Sequence, residues 1–213
     1  MHIAVAGNIG AGKSTLAQKL ANHYNWDVFY ESVDDNPYLS DFYDDMNQWA
    51  FHLQVYFLST RIKQVLDIQA ATKTIIQDRT IYEDAVIFAR NLHASGHINQ
   101  RDYQNYLSLF DTMTGFINPP DLLIYLKASM PTLVKRIEMR GRAYENNIKL
   151  EYLRKLGESY EDWISTYKRG KLLVINADDL DFVSHPEDLG KIISMVDREL
   201  FGIFGSSRDS VGT

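Results

Sequence analysis

The 213-residue chain has no cysteine. That excludes a disulfide framework, thiolate nucleophiles and thiolate metal ligands. Such a composition fits a reducing compartment. Long hydrophobic runs are missing too: no stretch approaches the roughly 20 apolar residues of a membrane helix. The opening "MHIAVAGNIG" lacks a basic region and reaches glycine too early for a secretory signal. A cytoplasmic protein without membrane contact is expected. Basic charge is in deficit, with a formal net charge of −6. Polymeric nucleic acid wants a basic footprint and is not expected as a partner. Small phosphorylated ligands stay open, because their sites are local. Proline is scarce, with 5 residues, and where it occurs it punctuates: Pro119-Pro120 stops one helical pattern before a strand. Repeats and low-complexity linkers are absent. The length suits one well-buried domain and is short for two. A single unit over residues 1–204 is expected, with a polar, disordered tail, "GSSRDSVGT", over 205–213.

What is present is an alternation of short apolar runs with long amphipathic ones. Strands are expected at His2–Ala6, Asp27–Tyr30, Thr74–Asp78, Asp121–Leu126 and Leu172–Asn176. Each is apolar on both faces, as the strands of a covered parallel sheet must be. Helices are expected at Lys13–Tyr24, Met46–Ala70, Tyr82–His93, Gln100–Phe116, Met130–Met139, Leu150–Tyr167 and Pro186–Phe201. The order implies an α/β fold: a doubly wound, five-stranded parallel sheet flanked by helices.

The strongest motif is "GNIGAGKST", which comprises Gly7, Asn8, Ile9, Gly10, Ala11, Gly12, Lys13, Ser14 and Thr15. It matches G-x-x-x-x-G-K-[ST] and stands where the mechanism needs it, after an apolar strand and before a helix. Its glycines let backbone N–H groups face phosphate oxygens, and the helix N-terminus adds a favourable dipole. Lys13 is placed to neutralise the β- and γ-phosphates and Ser14 to ligate Mg²⁺. A chance glycine-rich turn would not keep strand, loop, Lys-Ser and helix in register. The motif marks a nucleoside triphosphate site and is silent about its use.

Other candidates are weaker one by one. Glu31 closes the second strand, "DVFYE", at the sheet edge where doubly wound folds bind ligands. It can accept a proton from an attacking hydroxyl, although a solvated strand-end acid is the simpler account of Glu31 alone. Asp78 ends the third strand and can hold Mg²⁺ directly or through water. Arg79 follows and can orient a hydroxyl and its base; a structural ion pair is an equal account. "VKRIEMRGRAYENN" clusters Arg136, Arg140 and Arg142, with Gly141 as a break and only Glu138 interleaved on the helix. The first two share a helix face, and three guanidiniums suit a triphosphate in transfer. A lid over about 136–147 is expected, with a solvated basic face as the alternative. Gln54 lies inside "FHLQVYFL", where an unpaired amide costs about 1–3 kcal/mol. It can pair with a nucleobase edge or, as a core Gln, with backbone. Arg61 lies two turns along the same helix face.

Together these residues resemble the P-loop deoxynucleoside kinases, and most closely their bacterial deoxyadenosine and deoxyguanosine branch. The likeness runs from Gly7 to about Phe182 through "GNIGAGKST", Glu31 in "YESVDDNPYL", Gln54 in "LQVY", "DRT" and "RGRAYE". It implies a transferase that moves the ATP γ-phosphate to a 5′-hydroxyl, with ATP and Mg²⁺ required. Glu31, Arg79 and Arg142 would be catalytic, with Arg136, Arg140 and Arg142 on ATP. Tyr43 and Glu145 would hold the sugar, and Gln54, Arg61, Asp84 and Phe88 would face the base. Ser14 and Asp78, the latter through water, would hold the metal. The resemblance also implies a homodimer built on helices, with the apolar faces of Met46–Ala70 and Tyr82–His93 as candidates and buried core as the alternative. This chain departs from the pattern in having Ser32 after Glu31 where the family often has proline, and Asn36-Pro37 where it has an aromatic. Deoxyadenosine is the favoured substrate, with deoxyguanosine and deoxycytidine as rivals, because a Gln amide serves adenine or, flipped, guanine. A thymidylate-kinase-like enzyme shares the loop, the Asp-Arg pair and the lid, but Glu31 and Glu145 would repel a monophosphate acceptor. A GTPase switch would need an N-K-x-D motif, which is absent.

Overall fold

The computed structural model describes residues 1–31 and 36–202. The expected tail and the Ser32 departure lie outside them. Strand β1 (His2–Gly7) is central in a five-stranded sheet of order β2-β3-β1-β4-β5. Its neighbours are β3 (Ile75–Asp78) and β4 (Leu122–Lys127); β2 (Asp27–Phe29) and β5 (Lys171–Asn176) form the edges. All pairings are parallel.

Side-chain alternation along β1 builds two cores, one on each face. Ile3 and Val5 pack with Leu16 and Leu20 of α1 (Lys13–Tyr24) and with Ile192 and Val196 of α9 (Pro186–Phe201). Ala4 and Ala6 face Leu53 of α3 (Met46–Ala70) and Leu156 and Tyr160 of α8 (Leu150–Ser165). Small residues stand there beside the rings of Tyr125 and Tyr160, which stack at 5.7 Å. A third cluster joins α3 to α6 (Gln100–Thr114) through Leu58, Val65, Tyr106 and Phe110.

Helix ends follow local chemistry. Asp45 caps α3 by accepting from the Asn47 and Gln48 amides at 3.1 and 3.2 Å. Gly141 takes a left-handed conformation (φ 66°) and ends α7 (Met130–Arg140) where the sequence placed a break.

Three elements differ from expectation. A short helix, α2 (Leu39–Asp44), precedes α3, and a 3₁₀ turn (Ala143–Asn147) follows α7. The helix expected at Tyr82–His93 is composite: α4 (Ile81–Glu83), a π-helical stretch (Asp84–Ala89), then α5 (Arg90–Ala94). An apolar pattern over six residues does not separate a 3.6-residue period from the wider π turn, and such insertions gather at functional sites. Most of this segment's apolar side chains, including Ile81, Tyr82, Ile87 and Leu92, are buried in the core. Among the described residues, no helix is long and apolar enough to cross a membrane.

Candidate active site

The register of the sheet gathers the site. Val5 pairs with Asp78 and Phe29 with Gln77. Two residues beyond that second pair stand Glu31 and Arg79, side by side at the carboxyl edge. There they border a cleft of about 230 Å³ lined by the phosphate loop, α2, α3, the π stretch and the turn after α7.

The loop that follows β1 requires glycine. Gly10 has φ 83°, and a Cβ there would lie 2.8 Å from the Leu133 carbonyl oxygen and 2.9 Å from Ile137 Cγ1. Asn8 is buried; its amide donates to the Leu153 carbonyl at 3.0 Å, and its side-chain oxygen accepts from the Ile9 amide at 2.8 Å. The loop is thereby anchored to α8 before α1 begins. Lys13 curls over it and donates to the Asn8 carbonyl at 3.2 Å. Burial, reinforced by Arg79 and opposed by Asp78, Glu31 and Glu83, lowers the Lys13 ammonium to about 8.

Beside the loop, the Ser14 hydroxyl donates to Asp78 Oδ2 in a short hydrogen bond. The other oxygen, Asp78 Oδ1, is buried without a hydrogen-bond partner among the described residues. Across the cleft, Glu31 Oε1 lies 2.7 Å from Arg79 Nε and 3.1 Å from Arg61 Nη2. Burial alone would raise the Glu31 carboxyl, but Arg79, Arg61 and Lys13 together bring it down to about 2. Arg79 is itself unusual: φ is 73°, a left-handed conformation rare for a side chain of this size. Its amide donates to the Val5 carbonyl at 3.0 Å, and its guanidinium sits 4.4 Å from the centre of the Phe88 ring.

The cleft floor is charged as well. Arg61, on α3, is buried and donates to Asp84 Oδ2 through Nε at 3.1 Å. It also donates to the carbonyls of Asp78 and Arg79 at 3.2 and 3.4 Å. Burial raises Asp84 to about 6 although Arg61 opposes the rise. Gln54 is buried on the same helix, and its Oε1 has no partner among the described residues. On the opposite wall Tyr43 stacks on Tyr144 at 5.8 Å. Glu145 is buried and paired with two arginines: 2.5 Å to Arg140 Nη2 and 3.8 Å to Arg142 Nη1.

The family model for "Deoxynucleoside kinase" matches residues 3–201. The chain belongs to the deoxynucleoside kinase family. It is 39% identical over 196 residues to a deoxyadenosine/deoxycytidine kinase of Bacillus subtilis (strain 168), covering 91% of this chain and 90% of the relative. It is 41% identical over 192 residues to a deoxyadenosine kinase of Dictyostelium discoideum, with 90% and 77% covered. Deoxyadenosine kinase from M. mycoides, solved with bound dATP, superposes with a TM-score of 0.81 at 29% identity, covering 92% of this chain and 98% of that one. This kinase is therefore a transferase of nucleotide salvage from a family that uses ATP.

Most site residues expected for such a kinase converge. Ile9, Gly10, Lys13, Ser14, Glu31, Tyr43, Gln54, Asp78, Arg79, Asp84, Phe88, Arg140, Arg142 and Glu145 all line the one cleft. Arg61 sits just behind it as a strut. Arg136 is placed differently from its two neighbours: it donates to the carbonyls of Ala11 and Ala177 at 2.7 and 3.0 Å, on the outer side of the phosphate loop. Arg140 and Arg142 pair with Glu145 while remaining about one third exposed, and Phe88 offers one ring face to Arg79. Thr80 is a helix cap, in a reciprocal capping box with Glu83.

Sequence reasoning missed Tyr144, Tyr152 and Phe42 in the cleft wall and Glu83 and Tyr160 beneath it. For Glu83 a signal existed in the Thr-x-x-Glu spacing. The two tyrosines Tyr152 and Tyr160 read only as apolar positions of an amphipathic helix.

Proposed function

We propose that this kinase transfers the γ-phosphoryl group of ATP to the 5′-hydroxyl of a purine deoxynucleoside, with deoxyadenosine preferred. The observation that carries the base preference is the buried, unpartnered Oε1 of Gln54 in a cleft whose floor is Asp84. A carbonyl oxygen left without a donor costs about 1–3 kcal/mol, so the ligand should bring an N–H group to it. Adenine offers an exocyclic amine beside a ring-nitrogen acceptor, which matches both ends of a Gln amide. Asp84, although engaged by Arg61, is a further acceptor for that amine. Similarity to enzymes named deoxyadenosine kinase supports the reading. Cytosine presents the same amine and ring-nitrogen pair, and a relative is named for both substrates, so deoxycytidine is the second substrate on this reading.

The proposed mechanism assigns each group a physical task. Lys13 and the backbone amides of Gly10 and residues 12–15 hold the triphosphate, since those of Gly7, Ile9 and Ala11 bond within the protein. Tyr43 and Glu145 hold the sugar, which requires Glu145 to loosen its grip on Arg140 and Arg142. Those arginines then turn to the phosphates, with Arg142 nearest the moving group and Arg136 steadying the loop from outside. Glu31 accepts the 5′-hydroxyl proton while Arg79 keeps hydroxyl and carboxylate aligned. A carboxylate near 2 is a weak base. That suits a loose transfer in which the nucleophile keeps its proton until late, so that alignment matters more than basicity. The Ser14 hydroxyl and the free oxygen of Asp78 fit Mg²⁺ as hard oxygen donors. When bound, the ion would neutralise phosphate charge.

We also propose one kinase unit over residues 1–204 with its lid at about 136–147, and a homodimer. Exposed Leu66 on α3, Leu109 on α6 and Phe116 just beyond it are the apolar surface for such an interface, and light scattering on the purified protein tests it. A phosphorylation assay with ATP across deoxyadenosine, deoxycytidine, deoxyguanosine, thymidine and dAMP tests the function. Deoxyadenosine should give the highest kcat/KM. A preference for thymidine, or for dAMP over deoxyadenosine, would refute the reading.

A further inference from the structure

Glu83 takes no part in the chemistry above, yet it is fully enclosed, with 0% exposure. A capping box needs only one of its oxygens. Oε2 does that work, accepting from the Thr80 amide at 2.7 Å and the Thr80 hydroxyl at 3.0 Å. Oε1 goes elsewhere. It accepts from the Gly7 amide at 3.3 Å and from the Tyr160 hydroxyl at 2.7 Å. That hydroxyl in turn accepts from Arg79 Nη1 at 3.1 Å, and the same Arg79 nitrogen lies 3.9 Å from Oε1. One carboxylate therefore ties the first residue of the phosphate loop to the turn that carries Arg79 and, through Tyr160, to α8.

The link has a physical reason. A left-handed arginine persists only where its surroundings over-determine it. Arg79 is held on the cleft side by Glu31 and on the core side by Tyr160 and Glu83. Without the core side it would follow Glu31, and the alignment of hydroxyl, carboxylate and phosphate would loosen. A buried charge is also costly unless paired and hydrogen-bonded, so a carboxylate satisfied across three elements resists displacement by any one of them.

We propose that Glu83 is a positioning residue for phosphoryl transfer, acting through Tyr160 and the Gly7 amide to keep Arg79 in register with the phosphate loop. The proposal rests on the reading that Arg79 aligns Glu31 with the attacking hydroxyl. Two variants test it, Glu83→Gln and Tyr160→Phe; the second leaves the capping box whole. Each is expected to lower kcat on the order of 10–100-fold, the scale of an ångström of misplacement, with little change in deoxyadenosine KM. The double variant should be no worse than the poorer single one, because both break the same link. If both variants fold and keep the wild-type kcat while only Tm falls, Glu83 is a helix cap and the proposal fails. If Glu83→Gln does not fold, Tyr160→Phe decides alone. Wild-type protein in the same assay separates the two levels: inactivity on every deoxynucleoside overturns both the reaction and the positioning role. Active wild type with unaffected variants overturns only the role of Glu83.

Discussion

Replacing Arg61 by methionine is the sharpest test of how the cleft is held together. Met is unbranched and can fill much of the vacated space, so the change removes charge more than volume. The wild-type guanidinium is 2% exposed and faces two carboxylates, each at 3.1 Å, besides two backbone carbonyls. Glu31 would keep Arg79 at 2.7 Å, whereas Asp84 would lose the cation that faces it. Breaking a buried pair from one side costs about 3–5 kcal/mol. For a protein of this length that is a drop in Tm of roughly 6–20 °C. Burial already raises Asp84 to about 6 with Arg61 present, and without Arg61 its carboxyl should rise further. A carboxyl whose folded pKa exceeds its unfolded value makes the protein more stable as pH falls. The penalty of Arg61→Met should therefore be large at pH 8 and much smaller at pH 5, where Asp84 takes up a proton. Adding Asp84→Asn should recover most of the pH 8 loss by removing the stranded charge. Denaturant unfolding of the single and double variants at both pH values measures this. A loss below about 1 kcal/mol at pH 8 would refute the reasoning, as would an equal loss at pH 5 and 8, or a double variant no more stable than Arg61→Met.

Other outcomes follow from the same geometry. Glu31→Gln should reduce kcat by about 100-fold or more while deoxyadenosine affinity, read by calorimetry, changes little; unimpaired turnover would remove Glu31 from the chemistry. Gly10→Ala places a Cβ 2.8 Å from the Leu133 carbonyl at φ 83°. It should cost about 1–3 kcal/mol of stability and weaken ATP binding, with a melting curve and ATP KM as readouts. In kcat/KM for deoxyadenosine, activity should be lost as pH falls through about 6, where Asp84 protonates. Glu31 at about 2 stays ionised throughout that range. Asp84→Asn should remove this acid limb, and a limb that survives the substitution assigns it to another group.

Legibility divided along physical lines. The five strands, the phosphate loop and three helices with unchanged bounds (Lys13–Tyr24, Met46–Ala70, Pro186–Phe201) could be read because hydrophobic period, glycine placement and helix breakers act locally. Candidates in the phosphate loop and at strand ends could be named from the residues themselves, whereas Tyr43, Asp84, Phe88 and Glu145 rest on resemblance to the family. Their partners could not be named. Arg61 and Glu31 are thirty residues apart in sequence, and the Arg61 Nη2–Glu31 hydrogen bond forms only because β2 and β3 pair in register beside α3. Arg136 and Arg140 looked equivalent on one helix face, yet one serves the Ala11 carbonyl and the other Glu145. A helical period sets direction, and what stands opposite sets the contact.

By itself, then, the sequence determined the parallel α/β architecture, the phosphate cradle and the family, since these rest on short-range pattern and backbone geometry. Tertiary structure alone decided the charge states and alliances within the cleft. A carboxylate near 2 at Glu31 and one near 6 at Asp84 differ through burial and the number of facing cations. The enclosure of Glu83 between Gly7, Thr80 and Tyr160 is likewise a product of packing. Electrostatics in a buried site depends on distances across the fold, and those exist only once the sheet has closed over its helices.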